Sequence, residues 1–187
     1  MRPRRGRVDT EFWQVLKARR QGRDPQRRRV YAWERETLGH LDHEPLLGEA
    51  PGRRITQPRA RQAALIYLTH LWTTYAKHFT PYYCGVPHLR VGFATARGRT
   101  RPRRRAGYGA YAVPLRHEIY CRLGSLRRTT FVHEVCHLLA WEEGHGPAFC
   151  AALIRLWEEE FGIDPSRALS VAARLEVAVD HSLLGTS

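Results

Sequence analysis

Four side chains carry a pattern that chemistry can use. His133, Glu134 and His137 read H-E-x-x-H, and His145 follows eight residues after His137. On a helix, residues four apart sit one turn above each other on the same face, so His133 and His137 can aim two imidazole nitrogens at one point. Zinc takes neutral imidazole at about 2.0–2.1 Å and prefers four tetrahedral ligands, of which a catalytic site draws three from the protein. Glu134 lies about 100° around the helix from His133, where its carboxylate can reach a metal-bound water and take its proton. This is hydrolase chemistry, with His133, His137 and His145 as expected ligands and Glu134 as expected base.

The third ligand has to come from beyond the helix. Ala140 and Trp141 finish the apolar pattern, Glu142, Glu143 and Gly144 provide a turn, and Gly146–Pro147 open a new helix, proline suiting its first position. Such a turn folds the chain back and presents His145 from the side opposite the first helix. A thermolysin-like alternative draws the third ligand from Glu158, Glu159 or Glu160 on the following helix. H-E-x-x-H also occurs by chance on ordinary helices. Here it lies among Phe131, Val132, Val135, Leu138 and Leu139, where two bare histidines and a glutamate are costly to bury without a partner. Cys136 and Cys150 flank the histidines; Cys136 is about 100° off the face of His137 and is expected to pack in the core.

A chain of 187 residues with 43% apolar side chains fits one domain with extensions: a basic stretch over 1–22, a domain over 23–181 and a tail over 182–187. Basic side chains number 31 against 18 acidic, a net charge of +13, and all except Lys17 and Lys77 are arginine. Such a surplus favours polyanions or anionic surfaces, although arginine is also what a GC-rich genome writes wherever a solvated cation suffices. The four cysteines, Cys84, Cys121, Cys136 and Cys150, show no C-x-x-C spacing, and the arginine-rich start lacks an apolar signal region. Reduced thiols in a cytoplasmic protein are the expectation, with no membrane partner, since no apolar run is long enough to span a bilayer.

The elements that must position these groups can be read in order. A short helix is expected through Phe12, Trp13, Val15 and Leu16, then a second over QRRRVYAWERETL, with Asp24 as cap and Val30, Trp33 and Leu38 facing inward. Residues 39–55 read as loop. The longest helix starts near Pro58 and runs to about Phe79, with Leu65, Leu68, Trp72, Tyr75 and Phe79 as its apolar stripe. His70 and His78 on this helix read as surface histidines. Short strands follow at Leu89–Ala94, Tyr108–Val113 and Glu118–Arg122, and Ser125 or Gly124 is the expected cap of the H-E-x-x-H helix. Phe149, Leu153, Leu156 and Trp157 form the inward stripe of the next helix. Asp164–Pro165 or Ser166 begins a last one, with Ala168, Leu169, Ala172, Leu175 and Val179 as its apolar face.

Between the first two strands lie Arg97, Arg99, Arg101, Arg103, Arg104 and Arg105, six arginines in nine residues. They read as a hairpin loop on the sheet that can grip phosphates of a nucleic acid, or simply as a solvated loop guarding a strand edge. No aromatics interleave with them, so base stacking and single-strand specificity get no support. The strand at Glu118–Arg122, if it forms the sheet edge over the cleft, can accept an extended peptide as an added strand.

HEVCHLLAWEEGHGPAF is similar to the zinc site of SprT-like, WLM and YgjP-type metallopeptidases, in which H-E-x-x-H is followed by His-Gly and a nearby Phe. DPQRRRVYAWE at Asp24–Glu34, taken with HEVCHLL and HGPAF, resembles an actinobacterial family of metallohydrolases. Members of that family carry an R-D-x-Q-R-x-x-V-Y-A-x-E opening, then H-E-x-x-H and A-H-G-P-E-F; Gly144 and Ala148 stand here where the family usually has Ala and Glu. The resemblance implies a zincin-like α+β domain, a small, mostly antiparallel sheet packed on helices. It also implies zinc on His133, His137 and His145, with Glu134 as the base.

The expected function is therefore a zinc-dependent metallopeptidase acting on a peptide or protein substrate, with nucleic-acid association through the arginines as a further expectation. Two rivals come from other classes. YbeY-type ribonucleases also bind metal through three histidines, but lack the glutamate directly after the first. A non-catalytic nucleic-acid binder with a structural zinc needs a fourth protein ligand, which the sequence does not offer.

Overall fold

The computed structural model describes residues 24–39, 41, 46, 57–79, 85–92, 109–122, 126–141 and 144–184. Among them run helix α1 (Arg27–Leu38), α2 (Gln57–Phe79), strands β1 (His88–Gly92), β2 (Ala110–Val113) and β3 (Glu118–Arg122), then α3 (Arg128–Leu139), α4 (Pro147–Phe161) and α5 (Pro165–Arg174). This is an α+β arrangement, more helical than stranded. The expected extension over 1–22, the helix through Phe12–Leu16, Cys84 and the arginines Arg97–Arg105 lie outside the described residues.

α3, which carries H-E-x-x-H, is the hub. It packs against α2 on one side, α4 on another and β2 on a third. Its exposed surface is correspondingly small: Thr129, Phe131 to Cys136, Leu138 and Leu139 are all buried. A helix enclosed on most of its circumference has no polar face to show, which is why from Phe131 on its sequence reads as apolar residues interrupted only by the reactive ones. α1 packs on α5, and the Trp33 indole lies 4.7 Å from that of Trp157 while its N–H donates to the Ala168 carbonyl at 2.9 Å. The helix ends follow local rules. Pro147 and Pro165 occupy first-turn positions, the Asp164 carboxylate accepts from the Ser166 N–H at 2.9 Å, and α4 stops at Gly162 in the left-handed region, φ 65°.

The sheet corrects two expectations. Its order is β1-β3-β2, with β1 parallel to β3 and β2 antiparallel to it, so it is mixed rather than mostly antiparallel. β3 is the central strand and not an edge. The short link through the turn Pro114–Arg116 and left-handed His117 (φ 51°) returns β3 antiparallel beside β2. β1, arriving from the end of α2, then covers the other side of β3, with Leu89 level with Ile119. β1 and β2 are therefore not partners in the sheet.

Three smaller expectations also change. Leu65 is 45% exposed; the buried stripe of α2 runs through Ala60, Ala64, Leu68, Leu71, Trp72, Tyr75 and Ala76. Alanines at its first turns fit a face pressed close to its neighbours, and Leu65 falls about 100° off it. Asp24 does not cap α1, whose N-cap position is Gln26. α3 begins after Arg127 without a side-chain cap, rather than at Ser125 or Gly124.

Candidate metal centre

His133 and His137 project from successive turns of α3, and His145 comes back to them from the turn before α4. Gly144 makes this possible. It sits at φ 65°, which L side chains rarely adopt, and a Cβ there would meet an Asp24 carboxylate oxygen at 3.4 Å. Gly146 then serves as N-cap and Pro147 as the first residue of α4. The result brings the three histidines together, with one donor atom from each all lying within 4.8 Å of one another.

One pair of donors has the spacing that a tetrahedral ion requires. Two nitrogens about 2.05 Å from a common centre at a tetrahedral angle stand about 3.3 Å apart, and the Nε2 atoms of His133 and His145 are 3.4 Å apart. Bare imidazole nitrogens at that spacing either share a proton or repel. The opposite ring nitrogens explain why they face inward. His133 Nδ1 lies 2.7 Å from Glu34 Oε1, and His145 Nδ1 is hydrogen-bonded to Asp24 Oδ2. A carboxylate accepts, so each Nδ1 carries the proton and each Nε2 presents its lone pair to the centre. His137 donates to the Gly144 backbone instead.

Aromatic rings hold the cluster from two sides. Tyr31 stacks on His133 with centroids 5.5 Å apart and meets His145 edge-on at 5.2 Å. Phe149 touches all three imidazoles, at 5.1, 4.5 and 4.9 Å for His133, His137 and His145. Gln26 anchors the returning turn: its amide N–H donates to the His145 carbonyl, and its oxygen accepts from the Ala178 N–H at 2.9 Å.

Charge in the centre follows burial and partners. Burial, then the neighbouring imidazoles, push His137 well below its ordinary value. Burial and His133 lower His145 despite Asp24, so both stay neutral and ready to coordinate at neutral pH. For His133 burial also opposes protonation, but the charge and hydrogen bond of Glu34 prevail and the net shift is upward. The buried Glu134 carboxyl is pushed up to about 7, by burial first, against the lowering pull of His133 and of the Ala112 backbone on β2. A carboxyl poised there can accept a proton at neutral pH and give it back.

The other sequence candidates lie elsewhere. Glu158 and Glu159 are exposed on α4. Glu160 belongs to a separate network, accepting from Tyr67 Oη at 3.0 Å, Tyr75 Oη at 2.9 Å and Arg128 at 3.3 Å, with His70 Nε2 at 2.8 Å. That network ties the first turn of α3 to α2 and α4; it does not reach the three histidines. Cys136 and Cys150 are buried and outside the cluster, and burial raises the Cys136 thiol well above its usual value.

Sequence reasoning did not find the roles of Asp24, Gln26, Tyr31 and Glu34, though all four sit in the Asp24–Glu34 motif. The available signal was chemical: a metal-ligating histidine usually donates its second ring N–H to a carboxylate, and this motif begins and ends on one. Asp24→Ala and Glu34→Gln are accordingly expected to lower metal affinity about 10–100-fold each without unfolding the chain. Competition with a chromogenic chelator measures this, and affinities equal to the parent protein would remove these carboxylates from the centre.

Comparison of the chain with protein-family models, with curated proteins and with solved structures finds no match in any of the three.

Proposed function

We propose that this protein is a zinc-dependent hydrolase of zincin-like design, and specifically a metallopeptidase. The observation that carries the reading is the convergence of three imidazoles beside a buried carboxyl, Glu134, on the helix that supplies two of them. His133, His137 and His145 would hold the ion, with Asp24 and Glu34 orienting two of the rings. Zinc bound there supplies Lewis acidity and makes a water easier to deprotonate at neutral pH.

Glu134 does the proton work. It takes a proton from the water that attacks the peptide carbonyl, and passes it to the departing amine nitrogen as the C–O bond forms and the C–N bond breaks. The Ala112 backbone bond keeps the carboxylate in place on the β2 side. Imidazole ligands suit several first-row ions, and zinc is the choice that needs no redox chemistry.

The test is incubation with casein and, separately, with RNA, each with and without a chelator. The expected result is casein cleavage that the chelator stops and added zinc restores. Chelator-sensitive RNA cleavage without proteolysis would transfer the reading to a three-histidine ribonuclease. Absence of both activities in zinc-loaded protein would leave a binding protein with a structural ion.

A further inference from the structure

The outer face of the sheet carries a row of side chains that the metal centre does not use. The register sets Arg90, Tyr120 and Tyr111 side by side across β1, β3 and β2. They alternate along their strands with the buried Leu89, Ile119, Cys121 and Ala110, so the row points away from the core. The Tyr111 and Tyr120 rings are stacked, with centroids 5.0 Å apart and planes 24° from parallel, and Tyr111 remains 42% exposed. Arg90 lies beside them, bonded to Glu118 at 2.9 Å yet with 67% of its side chain exposed. Arg116, exposed in the β2–β3 turn, is close enough to Tyr111 for its charge to act on the phenol.

A stacked cross-strand tyrosine pair is by itself an ordinary sheet contact. Charge is what points to a ligand. Glu118 offsets Arg90, and Arg116 in the adjoining turn adds a positive charge that acts on Tyr111, in a chain of net charge +13. β1 ends and β2 begins at the same end of the sheet, where Gly92 meets Arg122 and Ala110 meets Cys121. An exposed phenol face bordered by guanidinium groups suits a ligand that offers flat π-surfaces and phosphates together. A duplex hides its base faces, whereas a single strand displays them.

We propose that the outer sheet face binds single-stranded nucleic acid, with a base stacked on Tyr111 and with Arg90 and Arg116 on the flanking phosphates. This gives the nucleic-acid association a location and a strand preference, and it stands independently of the zinc chemistry on the other side of the sheet.

Fluorescence anisotropy tests it with labelled oligouridylate, oligothymidylate and a duplex, each of about twelve nucleotides. The single strands are expected to bind in a salt-dependent manner. Tyr111→Ala is expected to weaken them about tenfold and Tyr111→Phe to change little, because stacking does not need the hydroxyl. Duplex affinity should not respond to Tyr111→Ala. The uridylate and thymidylate arms show which sugar is preferred. Unaltered single-strand binding in Tyr111→Ala, an equal loss in Tyr111→Phe, or no binding at low salt would each overturn the proposal. Tyr111 is exposed and its alanine variant is expected to retain the parent's zinc content, so failure here is distinguishable from failure of the metal centre.

Discussion

Glu134→Gln is expected to lower peptide hydrolysis by at least about a thousandfold, near the upper part of what a positioned general base contributes, while zinc stays bound. The substitution is close to isosteric, and its amide oxygen can still accept from the Ala112 backbone, so the local structure has little reason to move. What it loses is the capacity to take a proton. In the unsubstituted protein the proposed hydrolysis should show the same dependence as a response to pH. A base works only when ionised, so activity falls as pH drops through the carboxyl's pKa. In the metal-free centre that value is about 7, set chiefly by burial. A dication beside it favours the ionised form, which places the acid limb expected of the zinc-loaded protein below 7. Turnover measured from mild acid to neutrality, with zinc stoichiometry measured alongside, checks both statements. Full activity in Glu134→Gln would remove this residue from the mechanism.

The second large effect concerns the ion itself. His145→Ala is expected to lower zinc affinity by more than about a hundredfold, beyond the range expected for the supporting carboxylates. It deletes one of three donors and leaves the Asp24 carboxylate facing a cavity without its proton donor. Zinc content after dialysis against a competing chelator measures the loss, with His70→Ala as a control that should retain its metal, since the His70 ring bonds Glu160 rather than the histidine cluster. Acidification should mimic the substitution, because coordination requires neutral imidazole. His133, whose affinity for a proton is raised by Glu34, is the ligand at which protons compete first. Unchanged zinc content in His145→Ala would place the third ligand elsewhere.

Both effects depend on features that were unequally visible before the chain was folded. The H-E-x-x-H face and the apolar residues around it are local facts of a helix, and helical geometry ties positions four apart without help from the rest of the molecule. The turn at Gly144 and the proline opening α4 are local as well, and the return of His145 follows from them. The three strand segments also appear at nearly the expected positions. Their order does not. Whether β3 is an edge or the centre depends on which segments share hydrogen bonds, and the contacts that decide this lie far apart in sequence. Tyr111 and Tyr120 show the same limit. They are separated by a turn and by no arginine run, yet the register puts them in contact and sets Arg90 next to Tyr120. No aromatics interleave with the Arg97–Arg105 arginines along the chain, whereas the sheet sets Arg90 and the tyrosines beside one another across strands.

Leu65 and Asp24 illustrate why local patterns mislead. Leu65 matches a three-and-four spacing, but the face pressed into the core is chosen by what packs against α2, and alanines at 60 and 64 allow the closer fit. Asp24 stands before a helix and next to a proline, where capping is the usual role. A buried imidazole N–H more than a hundred residues away makes the stronger claim on its carboxylate.

From its sequence alone this protein has a helix that can present two imidazoles and a carboxylate, a turn that can return a third imidazole, and a strongly cationic chain. Tertiary structure decided that Asp24 and Glu34 orient the rings, that Tyr31 and Phe149 wall them in, that burial tunes Glu134, and which strand lies at the centre of the sheet. The physical reason is range. Helical periodicity and turn chemistry act over a few residues, whereas desolvation and charge pairing depend on whatever the folded chain brings within a few ångströms.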